Sequence, residues 1–213
     1  MSKLPLDILD DRRREVWRQL GGLPKGGMLA GGTALALQIG HRRSYDFDVF
    51  YQKPIQKRWL LSLKKLFGND LSRTVTDAVP DELTIIVSPD IKLSLLLFPF
   101  APLHRSVVGG TLPMLDKRDV ASAKAYAIGR RGAWRDYVDM YFLLRDHLDI
   151  ASVVREAKKR FNGAFSEKLF LEQLQYFDDI KDFSLEFIGK PIKKETIQKA
   201  LSTWGMDYAR KRL

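Results

Sequence analysis

The stretch Met28–Phe50, MLAGGTALALQIGHRRSYDFDVF, decides how this chain reads. A short apolar run precedes Gly31-Gly32-Thr33; one or two turns of helix follow, then a strand carrying Asp46 and Asp48. Side chains two apart on a strand share a face, with alpha carbons roughly 7 Å apart. Arg42, Ser44, Asp46 and Asp48 have that spacing, so one strand face is expected to present a cation, a hydroxyl and two carboxylates. Phe47 and Val49, with Tyr45 as a further candidate, are expected to point the other way, into a core.

Two adjacent carboxylates repel, and one takes up a proton unless something compensates. A divalent cation does so, because hard oxygens suit magnesium, which also bridges substrate phosphates. Paired metals can clamp the attacking and leaving oxygens of a phosphoryl displacement. The Gly-Gly-Thr turn lets backbone amides approach a phosphate at the start of a helix whose dipole favours an anion. Gly-Gly alone is an ordinary turn, and a lone Asp-x-Asp pair is commonly solvated. The two together, on adjacent pieces of chain, point to nucleotidyl transfer.

Working outward, residues 7–20 are expected to form an opening helix with Ile8, Val16, Trp17 and Leu20 as its apolar stripe. GGLPKGG, residues 21–27, breaks it. Residues 55–67 have helical spacing, and 74–79, 83–87 and 92–98 read as strands. The run Leu93–Phe98 is nearly all apolar, as for a strand buried on both faces. From Asp116 onward the chain turns helical, with helices expected at 117–129, 133–147, 151–161, 166–177 and 193–212. The fold class is therefore α+β: a small mixed sheet flanked by helices in residues 1–112, then a helical module in 113–213.

The 213 residues are 45% hydrophobic and 29% charged, suiting one large or two small soluble domains. There is no cysteine, which excludes disulfides, thiolate zinc sites and cysteine nucleophiles. His41, His104 and His147 show no metal-binding spacing. The N-terminus lacks an apolar signal core and no apolar run could span a bilayer, so an intracellular, cytoplasmic protein without a membrane partner is expected. The formal net charge is +10, with residues 1–112 carrying 16 basic and 11 acidic side chains and the rest 20 and 15. This spread positive field is compatible with a polyanionic partner such as nucleic acid, although many soluble proteins are basic without one.

A second constellation lies in the helical part. Lys124 sits among small residues, and Asp136 and Asp139, three apart, share a helix face. Lys124 can hold phosphate oxygens as a point charge, or form a helix–helix ion pair with Asp136; composition leaves both open.

Several motifs together resemble the AbiEii/AbiGii-type nucleotidyltransferases, toxin components of bacterial toxin–antitoxin and abortive-infection systems with a DNA polymerase β-like fold. They are Gly31-Gly32-Thr33 with Leu35; His41-Arg42-x-Ser44-x-Asp46-x-Asp48; Lys92 in IKLSLLLFPF; Lys124 in ASAKAYAIGRRG; and Arg131-Gly132 with Asp136 and Asp139. The likeness covers about residues 28–147. It implies Asp46 and Asp48 as ligands of magnesium or manganese, and Gly31, Gly32, Thr33, Arg42 and Ser44 at a nucleoside triphosphate. It also implies Lys124 as a phosphate ligand and Asp136 as a residue needed for activity, with RNA, plausibly tRNA, as acceptor and an antitoxin as a possible partner. Two positions depart from the family pattern. Ser94 stands where a third carboxylate often helps activate the acceptor, and Arg135 where a lysine often precedes the later aspartate. Arginine can still fork onto phosphate but cannot transfer a proton. The competing readings are a catalytically silent nucleotide- or nucleic-acid-binding protein, a kinase-like phosphotransferase, and a structural protein whose positive field meets an acidic antitoxin.

Overall fold

The computed structural model describes residues 4–77, 79–87 and 89–212. Two compact units divide them. The first runs to Ala101 and includes Arg105–Asp116; the second joins Pro102–His104 to the chain from Lys117 onward.

In the first unit, α1 (Asp11–Gln19) opens with Asp10 accepting the amide of Arg13 at 2.8 Å. Ile8, Val16, Trp17 and Leu20 are all buried, but the helix expected over 7–20 is shorter: Ile8 and Leu20 lie in single 3-10 turns, Leu6–Ile8 and Leu20–Gly22, on either side of α1. Three-residue β1 (Met28–Ala30) runs into α2 (Gly31–Ile39), which ends on Gly40 in the left-handed region, φ 65°. Thr33 through Leu37 are buried, so α2 is enclosed on all sides. Then come β2 (Phe47–Tyr51), α3 (Trp59–Phe67), β3 (Leu71–Thr76), β4 (Glu82–Val87) and β5 (Ile91–Leu97).

The strands form one mixed sheet in the order β1-β2-β5-β4-β3, in which only β2 and β5 are parallel. Strict alternation sorts the two faces. Phe47, Val49, Leu83, Ile85, Leu93 and Leu95 are almost wholly buried on one. The Trp17 ring stacks on Phe47 at 6.5 Å and Trp59 meets Tyr51 at 4.7 Å, so α1 and α3 cover this side. The other face carries Asp48, Phe50, Glu82, Thr84, Lys92 and Ser94. Central strand β5 is buried on both faces from Leu93 to Leu95 but only half-buried from Leu96.

Two expectations need correction. The strand does not extend back through Arg42 and Ser44; it begins at Phe47, so Arg42, Ser44 and Asp46 belong to the approach rather than the sheet. The reason is non-local: β1 stops at Ala30, opposite Asp48, where the chain turns into α2, so among the described residues the ladder to β2 goes no further back and residues 43–46 lie outside the sheet. Side chains hold them instead, Arg13 Nε donating to the Tyr45 carbonyl at 3.0 Å. Tyr45 is 44% exposed rather than in the core, with the Arg13 guanidinium 5.0 Å above its ring.

The second unit contains α4 (Lys117–Arg131), α5 (Trp134–Asp146), α6 (Ile150–Phe161), α7 (Glu167–Gln173) and α8 (Lys194–Arg210). The buried Asp119 carboxylate accepts the amides of Leu103 and His104 at 2.7 and 3.0 Å, which explains why that short segment belongs here. Arg160 donates to the Asp119 carbonyl at 2.6 Å, and Tyr126 stacks on Phe161 at 4.4 Å, tying α4 to α6. No helix among the described residues is long and apolar enough to cross a membrane.

Asp149 caps α6, accepting the Ser152 amide at 2.8 Å, and that bond holds its carboxyl below the usual aspartate range. Asp149→Ala is expected to cost about 1 kcal/mol in urea unfolding at neutral pH. Because the folded pKa is depressed, the cap contributes fully above the unfolded value near 4 and is lost as pH falls through the folded one. The variant and the parent should therefore converge in strong acid.

Candidate functional site

Gly31 is the first residue of α2 and adopts φ 63°, a conformation that costs side-chain-bearing residues energy. A methyl built on it would lie 2.9 Å from Asp48 Oδ2, so the carboxylate is packed against the helix start. At Gly32 a methyl would overlap the Arg42 guanidinium, which is 5% exposed. Residue 30, the N-cap, is alanine and offers no side-chain acceptor to the first-turn amides. The positive helix end, a buried guanidinium and one carboxylate thus meet at two glycines that leave no room for a side chain.

Thr33 anchors the approach to β2. Its hydroxyl lies 2.6 Å from Ser44 Oγ and donates to the Asp46 carbonyl. Thr33 and Ser44 are 2% and 6% exposed, so these hydroxyls work inside the protein, locking the carboxylate-bearing segment to the helix. Asp46 and Asp48 are half-buried, and Lys92 Nζ approaches Asp46 Oδ2 at 3.8 Å. Two carboxylates presenting hard oxygens fit magnesium or manganese. Among the described residues no three His, Asp or Glu side chains are gathered as a metal site, so phosphate oxygens and water would complete the coordination.

Ser94 is the Cα partner of Asp48 across the parallel β2–β5 pair. It is buried beside Thr84, with the two hydroxyl oxygens 3.0 Å apart. Thr84 in turn donates to Glu82 at 2.7 Å. Reading the sequence did not single out Glu82 and Thr84. Their signal is the alternation in ELTIIV, where the two polar residues sit two apart on one face.

In the second unit, Lys124 Nζ lies 2.6 Å from both Asp136 Oδ1 and Asp139 Oδ2. The ion-pair reading offered Lys124 one acidic neighbour, Asp136; Asp139, 0% exposed, is a second whose spacing of three from Asp136 had marked the shared face. Asp136 also accepts the Ala133 amide at 3.0 Å, closing the first turn of α5. At Gly132 a methyl would come within 2.7 Å of the Tyr137 ring, and burial, reinforced by Asp179 and Asp136, pushes the Tyr137 hydroxyl up to about 12.

The sequence also matches, over residues 22–203, the family described as "Nucleotidyl transferase AbiEii toxin, Type IV TA system". An uncharacterised protein of Aquifex aeolicus (strain VF5) is 32% identical over 160 residues, spanning 72% of this chain and 75% of its own. Among solved structures, MenT4, a nucleotidyltransferase toxin from Mycobacterium tuberculosis H37Rv, superposes with a TM-score of 0.60 at 15% identity, covering 91% of this chain and 80% of that one. A putative nucleotidyltransferase from H. pylori gives 0.57 at 18% identity, with 95% and 97% covered. JHP933 from Helicobacter pylori gives 0.56 at 17%, with 98% and 94% covered. At these identities the structural likenesses establish the fold: a five-stranded mixed sheet flanked by helices, shared with nucleotidyltransferase toxins.

Two predictions test the geometry. Gly31→Ala combines an unfavourable φ with a clash on Asp48, and should destabilise the first unit by roughly 1–3 kcal/mol in thermal or urea unfolding. Lys124→Ala leaves two carboxylates facing each other, one fully buried. It should cost roughly 3–5 kcal/mol, read as a lower melting temperature of the second unit.

Proposed function

The chain belongs to the AbiEii nucleotidyl transferase toxin family of type IV toxin–antitoxin systems, and from that premise we propose that it transfers a nucleoside monophosphate from a nucleoside triphosphate to an RNA acceptor, plausibly tRNA, in the cytoplasm. The observation that carries the reading is Asp48 Oδ2 packed against Gly31 at the uncapped start of α2. Asp46 and Asp48 would hold magnesium or manganese. When bound, the metal offsets the charge of the phosphates and polarises the reacting phosphorus.

The chain's own contribution is placement. First-turn amides of α2 and the Arg42 guanidinium supply positive charge for the phosphate tail, and the close approach they need is what Gly31 and Gly32 permit. Thr33 and Ser44 act indirectly, holding Asp46 at the edge of the sheet. The acceptor oxygen bonds to the α-phosphorus, the bond from that phosphorus to the β-phosphate bridge breaks, and pyrophosphate leaves with the electron pair. Positioning and fixed charge supply most of the rate in such chemistry. A net charge of +10 favours a polyanionic acceptor. Lys124 and Asp136 enter this proposal through the family likeness, since Lys124 is engaged by two carboxylates. An antitoxin remains the partner that the family implies.

A second reading, a catalytically silent triphosphate binder, draws on the hydroxyl of Ser94 beside Asp48 where a carboxylate would serve chemistry directly. Incubation with each α-labelled triphosphate, magnesium and total RNA separates the two. Transfer predicts labelled RNA with pyrophosphate release, reduced roughly 100-fold or more by Asp46→Ala. Label that survives in Asp46→Ala defeats the role given to that carboxylate. Triphosphate binding indifferent to magnesium, with no pyrophosphate released, supports the silent protein, and movement of a γ-label instead supports a kinase.

A further inference from the structure

The positive charge of residues 1–112 is not evenly laid. Residues 53–73 hold six basic side chains against one acidic, whereas the rest of residues 1–112 holds ten of each. The excess therefore sits on α3 and its flanks. The single acidic residue of that stretch, Asp70, is taken by Arg12 at 2.8 Å. Helical geometry starts just before α3 proper: Arg58 is in the right-handed helical region, and the amides of Leu60 and Leu61 donate to the carbonyls of Lys57 and Arg58 at 3.2 Å. Lys57, Arg58, Leu61, Lys64 and Lys65 stand at i, i+1, i+4, i+7 and i+8 and so share one face. All five are exposed, Leu61 at 69%, while Leu63 and Phe67 on the opposite side are buried. Among the described residues none of the four cations is held in an ion pair. On α1, by contrast, Arg12, Arg13 and Arg14 each meet a carboxylate.

We propose that this face of α3 docks the phosphodiester backbone of the RNA acceptor; this rests on the nucleotidyl-transfer reading. Its composition favours a nucleic acid over an acidic protein. Protein interfaces centre on apolar and aromatic side chains and are depleted of lysine, whereas here four cations surround one leucine. Nucleic-acid interfaces are more polar and much more positive, and backbone phosphates take the larger share of their contacts. Lysine and arginine that meet phosphates release condensed counterions, a gain that needs no particular sequence. The position of the face adds a constraint. α3 covers the apolar side of the sheet, and Asp48 belongs to the other. An RNA held on α3 must pass an edge of the sheet to bring an end to the carboxylates. The surface therefore suits a long chain and grips it away from the reacting end.

The bland alternative is a solvated helix face whose cations serve solubility. Fluorescence anisotropy of a labelled oligouridylate of about 30 nucleotides, titrated with the full chain at about 50 to 200 mM salt without triphosphate, distinguishes them. Lys57→Gln, Arg58→Gln, Lys64→Gln and Lys65→Gln combined should weaken binding roughly 100-fold at about 100 mM salt. The slope of log affinity against log salt should flatten by about 3, since each phosphate contact on a single strand contributes about 0.7. Lys57→Arg, Arg58→Lys, Lys64→Arg and Lys65→Arg keep the charge and should bind as the parent does, with melting temperatures reporting that each variant folds. Lys181→Gln, Lys190→Gln, Lys193→Gln and Lys199→Gln remove the same charge from exposed positions of the second unit and should change affinity less than about threefold. Parental binding by the α3 glutamine variant overturns the proposal, as does equal weakening by the second-unit variant, which traces the effect to net charge. Poly-L-glutamate bound as tightly through the same four residues gives the face to an acidic protein and overturns it too. Labelling of total RNA from α-labelled triphosphate is read separately: the α3 glutamine variant should need more RNA for half-maximal labelling, with the rate at saturating RNA changed less than about twofold. A parent that binds oligouridylate through α3 but labels no RNA overturns the transfer reading and the acceptor role with it. A parent that labels RNA, beside an α3 variant that binds as it does, removes the surface alone.

Discussion

A single buried hydroxyl, Thr33 Oγ1, ties the first turn of α2 to the segment leading into β2 through Ser44 and the Asp46 carbonyl. It works with the Arg13 bond to the Tyr45 carbonyl to hold this segment, because β1 ends opposite Asp48. The three short elements therefore behave as one piece. The strand brings a carboxylate to the helix start, the glycines remove the side chains that would block it, and the threonine fixes their separation. Each glycine is required by a different neighbour, Asp48 at Gly31 and Arg42 at Gly32, which is why one small residue would not suffice. A buried polar bond of this kind contributes only about 1 kcal/mol net, but leaving its partners unsatisfied costs more. Its main consequence is geometric.

The sheet divides its labour by parity. One face is apolar almost throughout, whereas the centre of the other is given to Ser94 and Thr84, hydroxyls buried in positions that a valine or leucine would fill. Replacing an apolar side chain by serine there forgoes on the order of 1–2 kcal/mol of burial. The hydroxyls recover part of that by bonding to each other and to Glu82. Stability alone favours the apolar alternative, and the two hydroxyls persist here because each is satisfied within the row.

The order of elements was legible because each carries a local period: alternation in the strands, a stripe in α1, glycine breaks between them. Phe47 and Val49 are buried as that alternation required. The start of β2 was not legible, because it is set by where β1 stops, which depends on pairing across the intervening helix. For the same reason Tyr45, which continues the alternation by one step, lies outside it. Asp46 and Asp48 could be marked from their spacing, but the contacts of Asp48 with the helix start and of Asp46 with Lys92 come from register, which no single segment encodes. Glu82 and Thr84 escaped notice because two polar residues on a strand normally indicate a solvated face. Only the pairing with β5 places them in the row with Ser94.

Charge counting separates the two constellations. Around Lys124, the ammonium is paired with two carboxylates, Asp136 and Asp139. Asp136 is further committed to the α5 amide of Ala133. Lys124 could engage an anion only by loosening one of these pairs, and Asp139, fully buried, is the costlier one to release. Around Gly31-Gly32 the balance differs: a guanidinium and a helix N-terminus are set against Asp48, and Lys92 stands by Asp46. Groups of both signs are thus brought together at the start of α2. Within the second unit the Lys124 cluster links α4 to α5.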